Sequence, residues 1–183
     1  CSACFIQAVG DSMKQIMELA ASEAMLFKYG SGSGTDLSTL RSSREQLAGG
    51  GKPSGPVSFM RVYDAVAGAI KLGGKTRRAA KMQTLKCGHP DVLEFVTCKA
   101  KEERKAKALI AAGFDADFNG EVYASAGFQN ANLSLRVTNA FMRKAVGEDA
   151  EPAYPLRSVT TGEVLDKADA REVLRAVAEG TWE

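Results

Sequence analysis

Apolar positions along the chain recur at two alternating spacings, one near two residues and one near 3.6, which predicts strands and helices in turn. Residues 3–9 read as a short strand, buried from Cys4 onward. Gly10-Asp11-Ser12 then offers a helix start in which Asp11 or Ser12 caps and Gln15 completes a capping box with Ser12. Met13, Ile16, Met17, Ala20, Ala24 and Phe27 form one stripe, and the helix stops in the glycine- and hydroxyl-rich run 28–35, a ligand loop or a linker. A second polar loop, residues 40–55, carries Arg41, Arg44 and the triple glycine at 49–51. After Ser58 as N-cap, Phe59, Val62, Val66, Ala69 and Ile70 predict another helix, and Ala80, Met82, Thr84 and Cys87 a strand.

Further on, Pro90 starts a helix that continues through Asp91, Val92, Phe95 and Val96 into a charged stretch, 99–107, read as a solvated face. Residues 124–137 alternate as a strand interrupted at Gln129-Asn130-Ala131-Asn132, whose amides face a ligand or make a turn. A hairpin joins 156–159 to 163–165, and a helix follows over 169–178. Strands alternating with helices predict an α/β fold with a largely parallel sheet, its short, glycine-rich and basic loops sharing one rim at the strand ends.

Composition narrows the classes. The chain has 183 residues, 45% hydrophobic and 25% charged, enough for a packed core. A net charge of +2 makes any basic patch local and argues against a nucleic-acid-binding surface. No apolar run reaches the roughly 18 to 20 residues that span a bilayer, so no membrane partner is expected and the expected compartment is the cytoplasm.

One patch stands out. Gly73, Gly74, Lys75, Thr76, Arg77 and Arg78, with Lys81 beyond, put two glycines and four cations between a predicted helix and a predicted strand. Adjacent glycines let backbone approach a ligand, and arginine and lysine donate to anionic oxygens, so the run suits phosphate. A solvated basic turn would share this pattern. The cysteines at 1, 4, 87 and 98 are too scattered for a disulfide scaffold. Cys1 and Cys4 have C-x-x-C spacing, but no second pair completes a zinc site, so no metal is expected. Cys87 and Cys98 read as buried structural thiols. From the residues alone, the chain is a cytoplasmic α/β domain that binds a phosphorylated small molecule.

Several segments go further: Cys4-Phe5-Ile6, Asp11-Ser12-Met13, residues 26–38 (LFKYGSGSGTDLS), Leu40-Arg41-Ser42, Gly49-Gly50-Gly51, residues 54–60 (SGPVSFM), the basic run, His89-Pro90-Asp91 and residues 128–132 (FQNAN). In order and density they resemble the large catalytic subunit of ribonucleotide reductases, over essentially the whole chain and most specifically over residues 3–137. The Gly-Lys-Thr-Arg-Arg form of the basic run is similar to the adenosylcobalamin-dependent class II enzymes. The resemblance implies a ten-stranded α/β barrel, of which residues 1–183 supply the first strands and helices: a redox-cysteine strand, two specificity loops, the following strands and a closing hairpin and helix.

The resemblance also implies roles. Cys4 matches the first-strand cysteine that reduces the ribose and becomes half of a disulfide; Ala3, Cys4 and the backbone at Gly32 would line the substrate pocket. The family often has serine where this chain has Ala3. Asp11 and Ser12 match residues that hold a deoxynucleoside triphosphate effector, and Arg41 matches a phosphate contact in the first specificity loop. Residues 72–80 match the second specificity loop, with Lys75, Arg77 and Arg78 favoured over Lys81 as anion contacts. The resemblance further implies a homodimer through the effector-site helices.

No Asn-x-Cys-x-Glu pattern carries the family's radical cysteine, and the partner of the Cys4 disulfide and the cobalamin site have no match either. The expected partner is therefore the remaining reductase segment carrying that cysteine, with the isolated chain inactive. A chain opening on Cys1 instead of methionine is expected to be a cut or processed piece, with Cys1 suited to an intein junction. Two functional classes follow: a segment of an active reductase, or a non-catalytic effector-binding or assembly fragment. An unrelated phosphate-binding domain is a third.

Overall fold

Three strand–helix–strand units set the architecture. The computed structural model describes residues 3–47, 49–70, 80–117 and 120–182. The order is β1 (Cys4–Gln7), α1 (Met13–Lys28), β2 (Gly32–Asp36), a 3-10 turn (Leu37–Thr39), α2 (Gly55–Ala69), β3 (Lys81–Lys86), α3 (Val92–Ala111), α4 (Glu121–Ser125), β4 (Ala131–Arg136), α5 (Asn139–Val146), β5 (Ala153–Arg157), β6 (Val164–Asp169) and α6 (Ala170–Trp182). Strands β1 to β4 form one parallel sheet in sequence order, and β5 and β6 a separate antiparallel pair. Consecutive parallel strands with crossovers of one hand put their helices on one face. The register fits this. Ser33, Lys81, Gln83 and Leu85 are buried toward the helices, while the row Ile6, Gly34, Met82 and Asn132 lies on the other face, where Ile6 is 96% exposed.

Helix α1 begins as the sequence predicts. Ser12 caps it, its hydroxyl oxygen accepting from the Gln15 N–H and its O–H donating to the Gln15 amide oxygen. Such a cap contributes about 1 kcal/mol. The buried side is Ile16, Leu19, Ala20, Glu23 and Phe27, whereas Met13 and Met17 of the predicted stripe are exposed. The main core packs Ile16, Leu19 and Leu37 against Met60 and Tyr63 of α2 and Leu85 and Phe95 beyond; a second joins Cys87, Val92, Phe141, Leu156 and Val173 under the hairpin.

Five local expectations are corrected. β1 is not buried: it is the sheet's edge strand, and Cys4, Phe5 and Ile6 are all exposed. The glycine run after α1 is not a loop beyond Ser31; it becomes strand β2, between β1 and β3. Ser58 lies inside α2, which starts at Gly55 with Pro56 supplying the fixed φ that suits a first turn. Residues 124–130 contain the end of α4 and a turn, and the strand starts only at Ala131. In the 99–107 stretch Glu102 departs from a solvated face, buried and accepting from Gly127 N–H, Lys105 and Arg61. Among the described residues no helix is long and apolar enough to cross a membrane.

Candidate functional site

Parallel strands give the sheet two rims, and the candidate residues divide between them. Cys4, Gly32, Ala80 and Lys81 stand where β1, β2 and β3 begin; Asp11, Ser12 and Arg41 follow the ends of β1 and β2. Of the loops expected to share a rim, the glycine run leads into β2 on the first rim, where β3 also begins. The basic-run candidates Gly73, Gly74, Lys75, Thr76, Arg77 and Arg78 lie outside the described residues.

On the first rim, Cys4 is opposite Gly32 in the register, and the Gly32 N–H donates to Ala3 O at 2.8 Å. A Cβ on Gly32 would stand 2.9 Å from Cys4 Sγ and 2.9 Å from Ala80 O. Only glycine leaves room for that thiol against bare backbone. The structure thus brings together Ala3, Cys4 and Gly32, adds Ala80, and leaves the group at an exposed sheet edge. Cys87 and Cys98 are elsewhere and buried; burial pushes the Cys98 thiol up to about 11. Cys4 is the accessible described thiol, as a redox group requires.

On the second rim, the Asp11 carboxylate accepts from the Arg41 backbone N–H at 2.9 Å and from Arg41 Nε at 2.5 Å. Both side chains keep partial exposure, 23% and 30%, so an anion or a sugar hydroxyl arriving here meets a guanidinium and a carboxylate at the start of a helix. The loop behind Arg41 is firmly held. Asp91 N–H donates to His89 Nδ1 at 3.1 Å, so the proton sits on Nε2, which donates to Leu40 O at 2.9 Å. The Asp91 carboxylate accepts from Ser42 Oγ, Ser43 N–H and Ser43 Oγ. Gly55, at φ +74°, allows this approach, because a Cβ there would come within 2.7 Å of Asp91 Oδ2.

Sequence reasoning missed Glu45, the strongest anchor of that loop. It accepts from Ser42 N–H, Ser158 Oγ, Val159 N–H, and both the N–H and hydroxyl of Thr160. Burial works against its ionisation, yet these donors pull the carboxyl down to about 2. Apart from Ser42, its partners at 158–160 lie more than a hundred residues away, which no local pattern reveals. Of the Gln129–Asn132 amides, Gln129 and Asn130 lie in a turn and Asn132 in β4 opposite Met82; Asn130 N–H donates to Asp64 Oδ1 of α2 at 2.9 Å, beyond a fully buried Phe128 with φ 62°.

A sequence profile of the ribonucleotide reductase barrel domain matches residues 2–176. The chain belongs to this family. Over 183 residues it is 59% identical to a vitamin B12-dependent ribonucleotide reductase of Rhodopirellula baltica, covering 99% of this chain and 17% of that protein. Identity is 52% over 181 residues with the enzyme of the same name from Streptomyces avermitilis, again 99% of this chain and 18% of the other. A vitamin B12-dependent ribonucleoside-diphosphate reductase of Thermoplasma acidophilum is 33% identical over 99% of this chain and 20% of its own length. The chain therefore spans a minor part of its curated relatives. Among solved structures, an Actinobacillus ureae class Id ribonucleotide reductase alpha subunit superposes with TM-score 0.63 at 15% identity, over 97% of this chain and 24% of that one, which shows the shared fold. The parallel β1 to β4 sheet is thus part of a ribonucleotide reductase barrel, and the exposed face carrying Ile6 and Met82 belongs to that incomplete sheet.

Proposed function

We propose that this chain is the part of an adenosylcobalamin-dependent ribonucleotide reductase that contributes one reducing thiol, Cys4, and the effector-responsive loops. The observation that carries this reading is the exposed Cys4 thiol seated on Gly32 in a chain 59% identical to a vitamin B12-dependent reductase. Replacing a ribose 2′-hydroxyl by hydrogen takes two electrons. Two thiols supply them: the C2′–O bond breaks, the oxygen leaves as water with a thiol proton, C2′ gains hydrogen, and the sulfurs join as a disulfide. Cys4 is one of that pair; the other, and the radical-bearing cysteine, are supplied by the rest of the complete protein. Ala3 and Gly32 line the substrate side.

Asp11, Ser12 and Arg41 bind a deoxynucleoside triphosphate, the carboxylate meeting a sugar hydroxyl and the guanidinium a phosphate. The run 73–78 is the second specificity loop, with Lys75, Arg77 and Arg78 as its anion contacts. In one copy, Asp11 and Lys81 lie at opposite rims, separated by α1, whose 16 residues span about 24 Å. A second copy packed antiparallel along α1 brings the Asp11–Arg41 end of one chain beside the Lys81 end of the other. The exposed face of α1 suits such a contact: Met13, Met17 and Met25 follow one another at helical spacing, 61%, 40% and 49% exposed.

Adenosylcobalamin does not fit the residues described here. Its corrin ring holds the cobalt, so a protein metal cluster is not what it needs, and His89, the lone histidine of the chain, has both ring nitrogens engaged. Its site belongs to another part of the complete protein, which works in the reducing cytoplasm, where thiols persist. The test is deoxyribonucleotide formation by the full-length protein with adenosylcobalamin and a dithiol, each omitted in turn. Product that requires both supports the reading. Nucleotide binding without product under any condition replaces it with the non-catalytic effector-binding fragment.

A further inference from the structure

Lys81 closes the basic run in the sequence, but its side chain is placed where no nucleotide phosphate reaches. The ammonium is wholly buried behind the sheet, ion-paired with an equally buried Glu23 of α1 and 4.6 Å from the Tyr63 ring of α2. Ser33 Oγ donates to Glu23 at 3.0 Å, Gln7 Nε2 donates to Ser33 Oγ at 3.2 Å, and Ser22 Oγ donates to Gln7 Oε1. Tyr63 O–H donates to Ile16 O at 3.1 Å. One polar seam therefore ties β1, β2 and β3 to α1 and α2. It runs directly behind Cys4: Ser33 follows Gly32, the residue under the Cys4 sulfur, and Lys81 follows Ala80, whose carbonyl accepts from the Ser33 N–H at 2.9 Å.

Stability does not account for this seam. A buried ion pair is commonly no better for folding than apolar residues of equal volume. Here burial pulls the Lys81 pKa down, and Glu23, with Asp64 beyond it, offsets only part of that. Next along the same face, the register partners Thr35 and Gln83 leave a hydroxyl and a whole amide buried with no hydrogen-bond partner. A charge pair does one thing that apolar contact does not: it fixes lateral register, because a slip of either element strands a charge in low-dielectric surroundings.

We propose that the Glu23–Lys81 pair is a positioning device for the effector response, locking the point where the chain re-enters the sheet beside Cys4 to the helix whose N-terminus carries Asp11 and Ser12. This rests on the function proposed above. Helix α1 is the body common to both ends: contacts at Asp11 that shift it carry Lys81 and Ala80 along, and with them the backbone floor at Gly32. An apolar pair would let α1 slide past β3. Such coupling is reciprocal, so a nucleotide seated at Cys4 must also change affinity at Asp11.

The test uses the full-length reductase and the variants Lys81→Met, Glu23→Gln and Glu23→Gln/Lys81→Met. Lys81→Met alone strands a buried carboxylate and is expected to fold poorly; the double variant removes both charges and keeps the fold. The readout is the ratio of kcat/KM for two ribonucleotide substrates, with and without each deoxynucleoside triphosphate, beside the effector Kd. The wild type is expected to change that ratio about tenfold or more on effector binding, within the usual range of coupling between sites. The double variant is expected to bind effector within about threefold of wild type, to turn over without effector at the wild-type rate, and to change the ratio by less than about twofold. A double variant whose ratio still responds as the wild type does overturns the proposal and leaves the functional reading intact. A wild-type protein that forms no deoxynucleotide removes both.

Discussion

Replacing Glu45 by glutamine tests most directly whether the Arg41 loop is held in the way described. The carboxylate gathers donors from Ser42, Ser158, Val159 and Thr160, and an isosteric amide turns an N–H₂ group toward some of them. The magnitude follows from titration. Glu45 falls from an ordinary 4.5 to about 2, and it is only 5% exposed, so the difference converts to about 3 kcal/mol of folding stability. The folded value is the depressed one, so this contribution is fully present above pH 4.5 and is lost as pH falls toward 2. Urea unfolding of wild type and Glu45→Gln across that range is the assay. The variant should be less stable by about 2 to 3 kcal/mol at pH 7, and the gap should close as acid protonates the wild-type carboxyl. Amide exchange should rise at Ser42, Val159 and Thr160 together. A gap that stays constant from pH 7 to pH 2, or one below about 0.5 kcal/mol at neutral pH, refutes the reasoning.

Three further outcomes follow from the same geometry. Alkylation of the native chain at pH 8, read by peptide mass spectrometry, should modify Cys4 and spare Cys87 and Cys98, which are buried and, for Cys98, held as a thiol by a pKa near 11. Gly32→Ala puts a methyl 2.9 Å from both Cys4 Sγ and Ala80 O; it should cost about 1 to 3 kcal/mol and change the Cys4 alkylation rate, while Gly34→Ala, with open space at its Cβ, should do neither. Met17→Lys, on the exposed face of α1, should weaken self-association of the full-length protein at least about tenfold by sedimentation and lower effector affinity with it.

Patterns that depend on near neighbours were legible in the sequence. Ser12 and Gln15 sit one turn apart and cap α1 as expected, Pro90 precedes α3, and the turn at 160–162 lies between β5 and β6. Strand β2 was not legible, because Gly-Ser-Gly-Thr-Asp has the composition of a turn; it becomes a strand through tertiary context, where Cys4 and Ala80 crowd out any Cβ at Gly32. β1 reads as buried from its apolar residues, but the strands that would flank and face it are not among the described residues. Lys81 reads as the least favoured anion contact of the basic run, but its buried role is not legible, because its partner, Glu23, is 58 residues away on another element. The division of the candidate site into two rims likewise follows from parallel pairing, which periodicity does not encode.

The most direct test of the central claim is turnover of the full-length protein carrying Cys4→Ser, with adenosylcobalamin, a ribonucleotide and a dithiol reductant, measured beside wild type and Cys98→Ser. Serine nearly preserves the size of the side chain on Gly32 but cannot form the disulfide that releases two electrons. The account predicts that Cys4→Ser binds nucleotide normally yet makes no deoxynucleotide over repeated turnovers, while Cys98→Ser, in a buried core position, remains active. Sustained turnover by Cys4→Ser would contradict the assignment of Cys4 as a reducing thiol.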